Sequence, residues 1–235
     1  MLKQCMGWIF AGVLLTLPVV QAQPGPTAGQ VLKRVQGEFE KVRDYSADIS
    51  AVVDVPGIKT PPMTAKIFFK KPDKVHIESS GFAMLPRDAV TYNPMAFNED
   101  LFDAVLQGEE TVNGVKCLKV KLLAKSDTVR LQRAMLYVDP ARWLVLKMTT
   151  DPAQGGSADI IFTYAYIDNA YFLPSKIGLQ MINPTGFRES KGHGMKMDAP
   201  AAGDKRKASV TLVYSNHRVN KGIPDSIFKK DSKTK

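Results

Sequence analysis

The chain has 235 residues, 44% hydrophobic and 23% charged, and its 32 Lys and Arg against 23 Asp and Glu give a net charge of +9. Its two cysteines, Cys5 and Cys117, exclude a small scaffold stapled by several disulfides and leave the fold to a hydrophobic core. A chain of this size can bury such a core in one domain.

Residues 1–22 read as a signal peptide. Lys3 supplies the positive start, Met6–Val20 is an apolar run too short for a comfortable membrane span, and Val20-Gln21-Ala22 is a small-residue cleavage site. Cys5 precedes the apolar run, so it is not placed as the cysteine of a lipoprotein signal. The mature chain is expected to begin at Gln23, to be exported to the periplasm or beyond, and to form one domain over 23–235. Losing Lys3 lowers the charge from +9 to +8 and leaves Cys117 without an internal partner. Cys117 falls in the apolar stretch Val115–Leu123 and reads as a buried small hydrophobe rather than a nucleophile.

After a short lead, Thr27 and Gln30 have capping-box spacing, and Val31, Val35, Phe39 and Val42 recur at helical steps with Leu32 widening the stripe. An amphipathic helix to about Arg43 is expected, its stripe packed on the protein's own sheet. Tyr45–Val55 alternates as a strand. Met63, Ala65, Ile67 and Phe69 then share one face against Thr64, Lys66 and Lys70, with Phe68 the exception. Lys71-Pro72-Asp73-Lys74 is a turn, because Pro cannot donate to a ladder and Asp accepts local backbone bonds. Val75 and Ile77 resume the alternation, which makes this an antiparallel hairpin with one apolar face.

The same unit recurs. Arg133–Val138 and Trp143–Met148 flank Asp139-Pro140-Ala141-Arg142, and Asp159–Ile167 and Leu173–Met181 flank Asp168-Asn169-Ala170. Gly81–Asn93 reads as a loop or short strands. Ala96–Gln107 reads as a second helix with Phe97, Leu101 and Val105 on one stripe, ended by Gly108; Asn113-Gly114 is a hairpin turn. Gly186–Lys207, rich in Gly, Lys, Pro and Ala, reads as a loop before the strand Ala208–Asn216. Two helices beside about ten strands predict an α+β domain, mainly β, with a curved antiparallel sheet.

No metal, cofactor or catalytic group is expected. His76, His193 and His217 lie far apart, no pair has metal spacing, and no Ser or Cys motif announces a nucleophile. Lys205-Arg206-Lys207 and the Lys229–Lys235 tail suit anionic headgroups, acidic partners or simply a solvated surface. Without an aromatic-basic platform, nucleic acid is not an expected partner.

Taken together, the opening helix with Tyr45, the Lys71-Pro72-Asp73-Lys74 hairpin, Gly108 and Val112-Asn113-Gly114 before a strand, Leu136-Tyr137-Val138-Asp139, and the ending Tyr214–Phe228 resemble the periplasmic outer-membrane lipoprotein-sorting (LolA/LolB-like) family. The resemblance covers the mature chain and implies an incomplete, half-open β-barrel whose apolar concave face lies under covering helices. It implies a monomeric carrier of lipid or lipoprotein acyl chains, served by a membrane-bound transporter or receptor. The alternative is a periplasmic sensor or accessory domain of the same fold that regulates a partner protein. The cavity candidates are Met63, Ala65, Ile67, Phe69, Val75, Ile77, Leu136, Val138, Trp143 and Val145. In the carriers an arginine before the hairpin proline helps hold the helical lid shut. In this chain that position is Lys71, which lacks the planar fork of donors, so a weaker lid contact is expected. The carriers' hairpin with an aspartate-glycine turn is not evident; Phe82–Tyr92 stands in its place.

Overall fold

A computed structural model describes residues 25–55, 58–59, 61–79, 92–129, 131–151, 157–182 and 207–233. The expected signal peptide, and nearly all of the loops expected over Gly81–Asn93 and Gly186–Lys207, lie outside the described residues.

Helix α1 spans Ala28–Glu40 and starts as its sequence requires. Thr27 Oγ1 accepts from the Gln30 amide at 3.3 Å, and Gln30 Oε1 accepts from the Thr27 amide at 2.9 Å, so two otherwise free donors are satisfied reciprocally. Val31, Leu32, Val35 and Phe39 form its buried stripe.

Among the described residues eleven strands follow: β1 Asp44–Val55, β2 Ile58–Lys59, β3 Met63–Lys70, β4 Lys74–Glu78, β5 Phe102–Val112, β6 Val115–Ala124, β7 Arg133–Asp139, β8 Leu144–Asp151, β9 Ala158–Ile167, β10 Tyr171–Ile182 and β11 Lys207–Val219. They form one antiparallel sheet in the order β4-β3-β1-β11-β10-β9-β8-β7-β6-β5, with the short β2 paired to β1 off this path. Most neighbours in space are neighbours in sequence, as a meander of hairpins dictates. The order does not close on itself: β4 and β5 are its two ends. β4 packs against a C-terminal 3-10 turn, Asp225–Lys233, where Lys70 and Lys74 reach Asp225 at 2.7 and 3.3 Å.

The tight turns use residues that tolerate left-handed backbone. Asn113 and Gly114 have φ of 50° and 81°, and Asp168 and Asn169 both have φ of 50°, matching the twist of the strands they join. Lys71-Pro72 is a cis peptide bond.

The second helix expected over Ala96–Gln107 is not formed. A 3-10 turn covers Pro94–Ala96, and β5 begins at Phe102. The stretch also fits a period of two, with Phe102, Ala104 and Leu106 inward and Asp103, Val105 and Gln107 outward. The long-range pairing of Phe102–Leu106 with Ala124–Val120 decides between the two periods. Leu101 and Val105, which a helix would have buried, are 42% and 50% exposed. Gly108, expected to terminate the helix, instead sits at φ 86° inside a register shift between Leu106 and Glu109, a bulge in β5. Among the described residues a single α-helix therefore covers the sheet.

Candidate ligand-binding concavity

Register places alternate residues of successive strands on one face. Tyr45, Ala47, Ile49 and Ala51 of β1 stand opposite Phe69, Ile67, Ala65 and Met63 of β3. Phe69 and Ile67 in turn stand opposite Val75 and Ile77 of β4. On the other side of β1, Ile49, Ala51 and Val53 meet Tyr214, Leu212 and Val210 of β11. The face continues through Ile177 of β10 and Phe162 of β9 to Leu136 and Val138 of β7, opposite Met148 and Val145 of β8.

All the residues nominated from sequence lie in one contiguous apolar cluster on this concave face. Ile67, Phe69, Leu136, Val138 and Val145 are fully buried, Ala65 is nearly so, and Met63, Val75, Ile77 and Trp143 are partly buried around them. β3 and β7 are well separated in the sheet order, so only curling of the sheet brings the two groups together. The cluster also holds residues not nominated from sequence: Tyr45 and Ile49 of β1, Leu212 and Tyr214 of β11, Leu173 and Ile177 of β10, and Tyr92. The alternation of β1 and β11 is the sequence signal for the first four. Nothing local marks Tyr92, which reaches the interior from a connection.

Helix α1 lies over this face and inserts its stripe. Phe39 packs against Phe69 and Tyr92 with ring centroids 5.4 and 5.9 Å apart, and Phe69 stacks on Tyr45 at 5.3 Å. Among the described residues the polar fastenings of α1 are few. At its C-terminal end, Lys71 Nζ donates to the Glu40 carbonyl oxygen at 2.7 Å, a favourable place for a cation at the negative end of a helix. Just beyond, Asn220 Oδ1 accepts from the Arg43 amide at 2.7 Å and Asn220 Nδ2 donates to the Lys41 carbonyl oxygen at 2.9 Å, tying the helix exit to the end of β11. Midway, Gln36 Nε2 donates to the Phe97 carbonyl oxygen at 2.8 Å, and the Arg34 guanidinium sits 4.4 Å over the Trp143 ring. Trp143 has φ of 57°, a strained conformation for a bulky side chain. Near the N-terminal end the Lys33–Glu99 pair is 4.0 Å apart and exposed.

The interior is apolar but not bare of hydroxyls. Tyr45, Tyr92 and Tyr214 are buried there and Tyr164 partly so, and burial is the first cause that raises the pKa of each phenol. Tyr92 is pushed up to about 12, while its hydrogen bond with Tyr164 opposes the shift. At neutral pH all four are therefore neutral donors. The Tyr164 hydroxyl donates a hydrogen bond to the Val145 carbonyl oxygen at 2.7 Å. On the convex side, Cys117 is fully buried beside Val112 and Tyr137. Burial and then Asp139 push its thiol up, which leaves it a poor nucleophile. Among the described residues no group of three or more His, Cys, Asp and Glu is placed to hold a metal ion.

Two open clefts lie away from this cluster's centre. One, of about 520 Å³, is lined mostly by polar residues such as Asp48, Ser50, Thr64, Lys66 and Glu78, and Ala65 is the nominated residue that reaches it. The other, of about 540 Å³, lies between β8 and β9 and includes Arg142, Leu144, Phe162 and Tyr164.

No family model matches the chain, and no curated protein sequence matches it. Solved structures do. A domain described as an outer-membrane lipoprotein-sorting protein from Vibrio parahaemolyticus superposes with a TM-score of 0.59 at 12% identity, covering 85% of this chain and 96% of that one. A DUF1329 family protein from Desulfovibrio piger gives 0.57 at 12% identity over 87% and 98%. A LolA superfamily protein from Nitrosomonas europaea gives 0.55 at 12% identity over 88% and 99%. With its unclosed antiparallel sheet and its apolar concave face under a helix, this chain has the LolA-type fold.

Proposed function

We propose that the chain is a periplasmic carrier or binding protein for the acyl chains of lipids or lipoproteins, acting in outer-membrane lipoprotein sorting. The observation that carries this reading is the continuous apolar concave face, covered among the described residues by one helix with few polar fastenings. The neighbours described as lipoprotein-sorting and LolA-superfamily proteins support it through the fold they share with this chain.

Magnitudes show why such a cover can yield to a lipid. The buried side chains Val31, Leu32, Val35 and Phe39 hold α1 down with about 1.5–3 kcal/mol each, or about 6–12 kcal/mol together. One acyl chain of about 14 methylenes gains about 11 kcal/mol on leaving water, at about 0.8 kcal/mol per group. A single chain therefore roughly balances the helix it displaces, and two chains outweigh it. The protein is accordingly read as a receptor for ligands with two or more acyl chains. Asn220 and Lys71 anchor the C-terminal end of α1, so the helix swings about that end while the Gln36–Phe97 bond opens.

The test is competition for a bound fluorescent fatty acid. A diacyl lipopeptide should displace it at concentrations at least tenfold below those needed by a single-chain fatty acid. Failure of the purified protein to take up the probe or either competitor would remove the carrier reading and turn attention to a protein-binding accessory role.

A further inference from the structure

We propose that the split between β8 and β9 is a binding cleft for an extended, acidic peptide segment of a partner protein. This goes beyond the acyl-chain reading and does not depend on it.

β8 and β9 pair only where Lys147–Thr150 meets Ile161–Ala158. Beyond that point each strand keeps its other neighbour: β8 stays on β7 to Leu144, and β9 stays on β10 to Ile167. The two strands therefore diverge, and residues 144–146 and 162–167 face one another without ladder pairing. Backbone N–H and C=O groups demand partners, and unpaired strand edges are templates for another strand. One side-chain bond crosses the split among the described residues, from the Tyr164 hydroxyl to the Val145 carbonyl oxygen at 2.7 Å.

The side chains around these edges favour a peptide over an acyl chain. An acyl chain has no groups to offer the strand edges, whereas an added strand offers both donors and acceptors. Phe162 and Leu144 give the cleft an apolar floor. Tyr166 is 55% exposed, yet its ring is fixed, stacked on Phe172 at 4.6 Å with its hydroxyl donating to the Asn169 carbonyl oxygen at 2.7 Å. An exposed tyrosine held by a half-buried phenylalanine is the kind of anchor that dominates protein interfaces. Arg142 supplies the sign. It forms a long ion pair with the buried Asp139, Nη1 to Oδ2 at 3.8 Å, while Asp139 Oδ1 accepts from the Ala141 amide at 2.8 Å, and its side chain is 62% exposed. The ion pair engages one nitrogen of an exposed guanidinium, and its remaining N–H donors can meet a carboxylate of a partner.

The experiment uses the blocked hexapeptide Ac-Val-Glu-Val-Glu-Val-Glu-NH2 and amide NMR of the labelled protein. Shifts should concentrate at residues 144–146 and 162–167. Replacing the glutamates by lysines, or the central valine by proline, should each weaken binding at least tenfold. The Arg142→Gln variant should weaken the glutamate peptide about tenfold while leaving fatty-acid uptake unchanged. Equal binding of the proline peptide would overturn strand addition, and no shift at millimolar peptide would overturn the site. Binding of anionic phospholipid vesicles that Arg142→Gln abolishes, with no peptide shifts, would reassign the cleft to a membrane surface.

Discussion

Truncating Phe39 to alanine separates two roles of α1, filling the core and yielding its place to a ligand. The ring is buried between Phe69 and Tyr92, at 5.4 and 5.9 Å. Removing a buried phenylalanine costs about 3–5 kcal/mol. For a domain of this size each kcal/mol lowers the melting temperature by about 2–4 °C, so Phe39→Ala should melt about 6–20 °C lower. If the ring merely filled a core, nothing would compensate. If it occupies space that a ligand takes, an acyl chain placing about four methylenes in the void regains about 3 kcal/mol, roughly a hundredfold in Kd. Thermal melts by circular dichroism, with and without a diacyl lipopeptide, distinguish these outcomes. The lipopeptide should raise the melting temperature of the variant more than that of the parent. Equal increments in both proteins, or none in either, would refute the idea that α1 and the ligand compete for one space.

Other outcomes follow from the same geometry. Lys71→Arg should slow ligand exchange, because a planar fork can engage more than one carbonyl at the end of α1; stopped-flow displacement at parental rates would remove Lys71 from the lid. Gln36→Ala loses the bond to the Phe97 carbonyl and should speed exchange in the same assay, and an unchanged rate would show that the helix opens elsewhere. The buried tyrosines have folded-state pKa values raised above 10.0, so their stabilising effect is complete below pH 10 and is lost as pH rises past it. For Tyr92 alone, a rise to about 12 corresponds to about 3 kcal/mol. Tyrosinate absorbance from these side chains should appear together with unfolding, and their smooth ionisation in a folded protein would contradict the burial. His217 is lowered by burial, against the bond to the Pro174 carbonyl, so its contribution is present above pH 6.5 and fades as pH falls below it. His217→Gln should flatten the loss of melting temperature between pH 7 and pH 5.

Much of the fold is written in local chemistry. The capping box at Thr27, the proline and aspartate turns and Asn113-Gly114 each prescribe one backbone conformation, and each appears where its residues require. Period-two alternation likewise marks Met63–Ile77 as a hairpin with one apolar face. Phe68, the exception on its outer face, lies against the His76 ring at 6.1 Å with the Lys66 ammonium 5.8 Å away. β5 reads as a helix because Phe97–Leu106 satisfies both periods, and only its long-range partner β6 resolves the ambiguity. The site is legible as a face, not as a volume. That Met63 and Val145 share one cluster depends on how far the sheet curls, which no window of sequence specifies. The split between β8 and β9 is invisible for the same reason: it lies where the pairing of two strands stops, which neither strand's own sequence specifies.

The most direct measurement of whether the concave face holds acyl chains is native mass spectrometry of the protein purified from a bacterial envelope, with lipid extraction alongside. A bound mass is expected, which extraction identifies as phospholipid or acylated peptide carrying at least two chains. A ligand-free mass that neither a diacyl lipopeptide nor a fluorescent fatty acid can shift would contradict the carrier reading.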